Sequence, residues 1–244
     1  MFTPSLEDDH GRAWFEDAAS YDDLLQKGLT LSGESRQYFA MHRVAEIVRI
    51  MEKSPDPSRI LDFGCGTGDT TALLAAQFSA AEVYGVDSSE PALEAARRSF
   101  RDERIHFESV SRMPLIEAFD IAYVNGVFHH IRVEERHEAI QKIFDAVRPG
   151  GCLMFFENNP YSLAARLVMR RIPFDRDAIM IWPRQALQML RRGGFDTPHP
   201  TRFFFIFPRS MRRLRCIEPT LSRLPLGAQY LVVGWRSATA SSGS

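Results

Sequence analysis

Three cysteines in 244 residues, Cys65, Cys152 and Cys216, stand far apart and form no CxxC pair. So few thiols at such spacing build neither a disulfide framework nor a structural zinc site, and they suit a reducing compartment. Long apolar stretches are missing too: no run approaches the roughly 18 residues that a bilayer span needs. The opening MFTPSLEDDH lacks the charged-then-apolar pattern of a leader. The expectation is a cytoplasmic protein with no transmembrane segment and no bound metal, either a monomer or a homodimer. Lysine is absent from 166–215, where twelve arginines meet only Asp175, Asp177 and Asp196. Glu7–Lys27 has the opposite bias, with seven acids and two bases. The arginine stretch reads either as solvated helix faces or as an attractor for an anionic molecule.

The chain alternates between two hydrophobic periods. Residues 1–33 are polar with scattered aromatics (Trp14, Phe15, Tyr21) and read as an arm ahead of a helix over 34–53. The proline-bearing SPDPS ends that helix. Short apolar runs at 59–63, 82–86, 105–108, 119–125 and 152–157 read as strands, with helical stretches at 70–77, 91–100 (capped by Ser88 or Ser89) and 133–147. RPGG at 148–151 reads as the stop of the last helix. Further on, 161–171 and 184–192 read as helices and 202–207 and 229–235 as strands, with an arginine-rich helix near 210–224 between them. TRFFFIFPR reads as a buried strand and its turn. SATASSGS reads as a low-complexity disordered tail. Strand–helix repetition implies parallel strands joined by crossover helices, hence an α/β doubly wound sheet. Residues 54–236 would form the main domain, with 1–53 part of the same unit and a lid region at about 160–228.

In such sheets ligands lie beyond the carboxyl ends of the strands. The rim so defined collects Gly64–Gly68, Asp87, Asn125–His130 and Glu157–Asn159. ILDFGCGTGD puts three glycines into five positions after an apolar run, at the cost of backbone entropy. Glycine loop followed by helix aims backbone N–H groups at whatever binds there. Nineteen residues beyond Gly68, VYGVD ends in Asp87, beside Ser88, where a carboxylate can accept from both hydroxyls of a ribose. Loop plus acid point to an adenosyl cofactor. Gly64-x-Gly66-x-Gly68 departs from the nicotinamide fingerprint GxGxxG, which favours S-adenosylmethionine over NAD. Asp62 either meets the cofactor's ammonium group or orients the loop.

LDFGCGTGD, VYGVDSSEPALEAAR, FDIAYVNGVFHHI and VRPGGCLMFFE together resemble the class I S-adenosylmethionine-dependent methyltransferases of the small-molecule group, over about residues 58–157. The resemblance implies a Rossmann-like sheet of seven strands with the last antiparallel. It also implies cofactor contacts at Asp62, Gly64, Cys65, Gly66, Gly68, Asp87, Ser88 and Asn125. Many relatives carry an acid for the adenine amino group ahead of an "LP"-like pair; counting back from Met113-Pro114, that slot holds Ser109, then Val110, with Glu108 as the alternative. His130 is the base that the resemblance implies, with His129 and Glu157 as further candidates, although such paired histidines also serve to pack the loop. Asn158, Asn159, Tyr161 and Arg170 are candidates for orienting substrate, with Asn159-Pro160 alternatively only starting a turn.

The function so implied is methyl transfer to an oxygen, nitrogen or carbon of a small amphipathic or anionic metabolite, with S-adenosylhomocysteine as product. The alternatives are a non-catalytic S-adenosylmethionine-binding module and a nucleic-acid methyltransferase. Aminopropyl transfer fits less well, because NGVF offers no acids for a polyamine. NNPY has one proline too few, and follows the wrong strand, for the D/N-P-P-Y motif of DNA adenine methyltransferases.

Overall fold

The computed structural model describes residues 32–114, 116–172 and 178–238. The arm aromatics Trp14, Phe15 and Tyr21, the lid residues Phe174 to Asp177 and the end of the tail lie outside the described residues. The elements run α1 (Arg36–Met51), β1 (Arg59–Phe63), α2 (Asp69–Gln77), β2 (Glu82–Asp87), α3 (Glu90–Ser99), β3 (Ile105–Ser109) and β4 (Phe119–Asn125). There follow α4 (Arg136–Ala146), β5 (Val147–Asn158), α5 (Leu163–Arg171), α6 (Pro183–Arg192), β6 (Arg202–Phe204), a 3₁₀ segment Arg209–Ile217, α7 (Glu218–Leu221) and β7 (Gln229–Trp235).

Seven strands form one sheet in the order β3-β2-β1-β4-β5-β7-β6. The pairs from β3 through β5 are parallel, and β7 is antiparallel to both its neighbours. Strand alternation sends successive side chains to opposite faces. On one face Ile60, Val83, Tyr123 and Met154 meet Val44 and Ile47 of α1 and Leu74 of α2. On the other, Leu61, Val124 and Leu153 meet Ile140 and Ile143 of α4 and Leu190 of α6. Both faces are covered, so the central strands read as unbroken apolar runs. Each fully buried aliphatic side chain contributes roughly 1.5–3 kcal/mol.

Caps explain the helix starts. Ser35, Ser89 and Ser162 each accept a backbone N–H of the helix that follows. Arg43, buried on α1, ties that helix to the sheet, donating to Tyr123 Oη at 2.8 Å and to Gln229 Oε1 at 3.0 Å.

Three expectations fail for identifiable reasons. RPGG does follow directly on the end of α4 at Ala146, but the strand expected from Cys152 starts at Val147 and takes RPGG in: these residues carry the register shift between Phe119 and Ile121 that lets β5 start early. TRFFFIFPR yields only the three-residue β6, because Phe205 adopts φ +63° and turns the chain to set its ring against Phe39 at 4.7 Å. Of its aromatics only Phe203 is buried. The helix near 210–224 is a kinked 3₁₀ segment followed by the four-residue α7.

At the opposite end from the ligand rim, Asp120 holds the sheet to its connections. It accepts from Ser58 N (2.7 Å), Ser58 Oγ (2.9 Å), Arg59 N (2.8 Å) and Arg148 Nε (2.5 Å). Burial raises its pKa, but the bonds from Arg59, Arg148 and Ser58 outweigh it and the net direction is downward. A depressed carboxylate stabilises the fold above its unfolded pKa, and that stability is lost as pH falls through the folded value. Asp120→Asn is expected to lower stability at neutral pH by about 2 kcal/mol and to flatten the acid limb of the stability curve; urea unfolding at several pH values measures both.

Candidate active site

The rim is assembled by one crossing. As the chain leaves β1, the N–H groups of Gly64 and Cys65 both donate to Val86 O of β2, at 2.7 and 3.0 Å. Gly66 N then donates to Asp87 Oδ2 at 2.8 Å, and Ser89 N to Asp87 Oδ1 at 2.9 Å. The loop and the acid at the end of β2 are thereby registered to each other, and α2 starts at once from Gly68.

Two of the glycines are needed for different reasons. Gly64 has φ +80°, and a Cβ there would lie 2.2 Å from Val127 Cγ2, so it permits the turn after β4 to close onto the loop. Gly66 has φ +53° and nothing within 4 Å of a Cβ. Its bare backbone borders open space, as a surface that receives a ligand requires.

Burial raises the pKa of Asp87, opposed by the N–H groups of Ser89, Gly66 and Ser88. Asp62, fully buried below the loop, accepts from Thr71 Oγ1 at 2.7 Å. Burial lifts it to about 7, with the Thr71 bond opposing and the Asp87 charge assisting. The Cys65 thiol is pushed up by burial, further by both carboxylates, and stays protonated.

The candidate residues separate into groups. Asp62, Gly64, Cys65, Gly66, Gly68, Asp87 and Ser88 share the loop region. Ser109 pairs in register with Asp87 across β2 and β3, and its hydroxyl lies 3.0 Å from Ser111 Oγ, with Val110 next in chain. Asn125 ends β4. Its side-chain oxygen and the Thr67 hydroxyl are buried without a hydrogen-bond partner among the described residues. Orphaned buried polar atoms are uncommon. Both belong to rim segments, Thr67 to the loop and Asn125 to the end of β4, and with bare Gly66 and the acid Asp87 they fit a polar ligand bearing hydroxyls and amines.

His129, His130 and Glu157 form a second group. Glu157 and His129 are buried, with His129 Nδ1 2.7 Å from Glu157 Oε2. The same carboxylate accepts from Phe128 N at 3.0 Å and Asn158 N at 3.3 Å. His130 is exposed, its ring 4.2 Å from that of His129. The far wall is tied on here: Ile179 N donates to His129 O, and Arg136 bridges Ile131 O and Ile179 O.

Asn159 is fully buried and engaged by backbone, donating to Pro225 O and Gly227 O and accepting from Tyr161 N. Asn158 accepts from Gln229 Nε2. Tyr161 is half exposed, with its ring 4.9 Å from Trp182, and Arg170 is exposed on α5. Sequence reasoning passed over Thr71, Val127 and Arg136, whose roles depend on contacts across the fold that no local spacing signals.

A family described as a methyltransferase domain matches residues 60–151. Trans-aconitate 2-methyltransferase of Variovorax paradoxus is 35% identical over 100 residues, covering 41% of this chain and 38% of that protein. The match to the same-named protein of Rhodopseudomonas palustris is 28% identical over 120 residues and covers 49% of this chain and 46% of the other, so less than half of either relative is spanned. The crystal structure of an S-adenosylmethionine-dependent methyltransferase from Mesorhizobium loti superposes with TM-score 0.56 at 23% identity, over 78% of this chain and 95% of the other. Glycine loop, acid-ended second strand and strand order with antiparallel β7 accompany the match of residues 60–151 to a methyltransferase domain, and the sheet has the fold of the solved S-adenosylmethionine-dependent methyltransferase.

Proposed function

We propose that the protein transfers a methyl group from S-adenosylmethionine to a small anionic acceptor. The observation that carries the cofactor half is the rim triad of Gly66, open to solvent, Asp87 and the unpaired Asn125 oxygen. Bound S-adenosylmethionine supplies an electrophilic methyl on a sulfonium. In this reading Asp87 accepts from the ribose hydroxyls, the loop backbone borders the amino-acid part, and Asp62 balances its ammonium. Ser109 and Val110, beside Asp87, face the adenine. The acceptor half rests on the arginines of the lid region, Arg170 among them, and on relatives named for trans-aconitate, a carboxylate. Structural likeness adds that the fold accommodates such chemistry: a geranyl diphosphate C-methyltransferase of Streptomyces coelicolor superposes with TM-score 0.57 at 16% identity, over 79% of this chain and 78% of the other.

Proton removal depends on the accepting atom. A carboxylate is ionised at neutral pH and needs no base, whereas a hydroxyl or amine does. In this reading His130, exposed at the rim, acts as that base. His129 and Glu157, paired and buried behind it, position the turn, and Asn158 and Tyr161 border the acceptor from the end of β5.

Calorimetric titration tests the cofactor. S-adenosylmethionine and S-adenosylhomocysteine are expected to bind and NADH not to, with Asp87→Ala weakening both by about 100-fold, as befits the loss of two hydrogen bonds to a charged acceptor. Binding of NADH alone would overturn the assignment.

Asp62 gives a pH signature. Its raised pKa means that the cofactor's ammonium meets a carboxylate only after a proton is lost. S-adenosylmethionine affinity is therefore expected to rise as pH passes through about 7 and then level off. Asp62→Asn removes the slope. Equal slopes in both proteins would leave Asp62 as the loop's Thr71 partner alone.

Methyl transfer to trans-aconitate and to hydroxylated or aminated analogues separates the roles at the rim. His130→Ala is expected to lower kcat by about 100-fold for hydroxyl or amine acceptors while leaving kcat for carboxylates nearly unchanged. An equal loss for both acceptor classes would remove the base role.

A further inference from the structure

The connection between β6 and β7 emerges on the ligand rim, because Phe204 at the end of β6 pairs with Gln229, which pairs with Asn158 at the end of β5. Its 3₁₀ segment Arg209–Ile217 contains no buried residue. In a 3₁₀ helix residues i and i+3 eclipse. Leu214 and Ile217 therefore share one row, which Met211 extends across the kink at its own backbone (φ −109°, ψ 24°). These three, with Leu224 and Leu226 further along, are 42–53% exposed.

Arginines flank the apolar row. Arg212 and Arg213 occupy the neighbouring rows, and Arg223 precedes Leu224. All three are exposed and make no ion pair among the described residues. The segment is nevertheless fixed in place. Arg215 turns inward to Glu34 at 3.0 Å with its guanidinium over the Tyr38 ring, and Glu218, the one acid between 209 and 226, accepts from Phe207 N. Asn159 grips the far end through Pro225 O and Gly227 O. That residue leads directly into α5, whose Leu163 and Leu167 are exposed beside Arg166, Arg170 and Arg171.

We propose that residues 209–226 are a docking surface for membranes carrying anionic phospholipid, which the apolar row enters while the flanking arginines meet the headgroups. The inference goes beyond the methyltransferase reading and does not depend on it. Charge complementarity selects the partner: unpaired arginines on both sides of exposed aliphatic side chains match an interface that is anionic outside and apolar within. Nucleic acid matches less well, because 209–226 contains no aromatic residue on which a base could stack. Docking in this way turns the rim, and with it the cofactor loop, toward the bilayer.

Flotation of the full chain with phosphatidylcholine vesicles, with and without phosphatidylglycerol, tests it. The protein is expected to float only with phosphatidylglycerol, and less as salt rises. Arg212→Gln with Arg213→Gln is expected to lower partitioning about 30-fold, roughly fivefold per arginine. Leu214→Ser with Ile217→Ser is expected to lower it about tenfold with the melting temperature unchanged, since both side chains are exposed. Three results would overturn the proposal: no flotation of the wild-type chain with anionic vesicles, flotation indifferent to the Leu214/Ile217 pair, or tighter binding to single-stranded RNA than to those vesicles.

Discussion

The shared carbonyl of Val86 is the contact on which the rim depends. By accepting from both Gly64 and Cys65 it continues the β1–β2 pairing past the end of the sheet and draws the loop over β2. The acid that terminates β2 is then one hydrogen bond from Gly66. Val127, packed where Gly64 lacks a side chain, brings the exit of β4 to the same point. Three strand ends are thus fixed relative to one another by the Val86 carbonyl, the Asp87 carboxylate and the Val127 side chain. Such pre-arrangement is what an adenosyl site needs, because fixed donors and acceptors lose little freedom when the ligand arrives.

The same crossing accounts for the charge state of the loop. Desolvation under it lifts Asp62 to about 7, whereas three backbone N–H groups hold Asp87 against the same desolvation. Two carboxylates so close would repel if both were ionised. The more deeply buried one, stabilised in its charged form only by the Thr71 hydroxyl and the Arg43 charge, is the one that gives way.

Much of this was legible in the residues because it is local. Apolar runs bounded by glycine or proline mark β1, β4 and β7 to the residue, and Asp87 follows from its distance to the loop. Where the sequence misled, a distant contact decided. Proline and glycine at 148–151 carry stop chemistry, yet pairing with β4 absorbs them as an irregular strand start. The aromatic run at 203–207 has strand propensity throughout, but packing of Phe205 on Phe39 and His42 of α1 ends β6 after three residues. Asn159 has the look of a rim side chain, and only the return of the chain at 225–227 shows where its amide goes.

The pairing of Glu157 with His129, 28 residues apart in the chain, joins the end of β5 to the turn after β4. One Glu157 oxygen holds Phe128 N and the other His129, while His129 O receives Ile179 N from the far wall. Arg136 repeats the bridge through Ile131 O and Ile179 O, and Tyr230 fixes Ile181 O at 2.8 Å. The turn after β4 and the stretch leading into α6 are therefore one mechanical unit held from beneath. A substitution at Glu157 removes the bonds to Phe128 N and to His129 together and so disturbs both. His130, exposed above this unit, can be removed without breaking these bonds. In the proposed reading a change at His130 therefore bears on proton transfer, whereas a change at Glu157 first disturbs the scaffold.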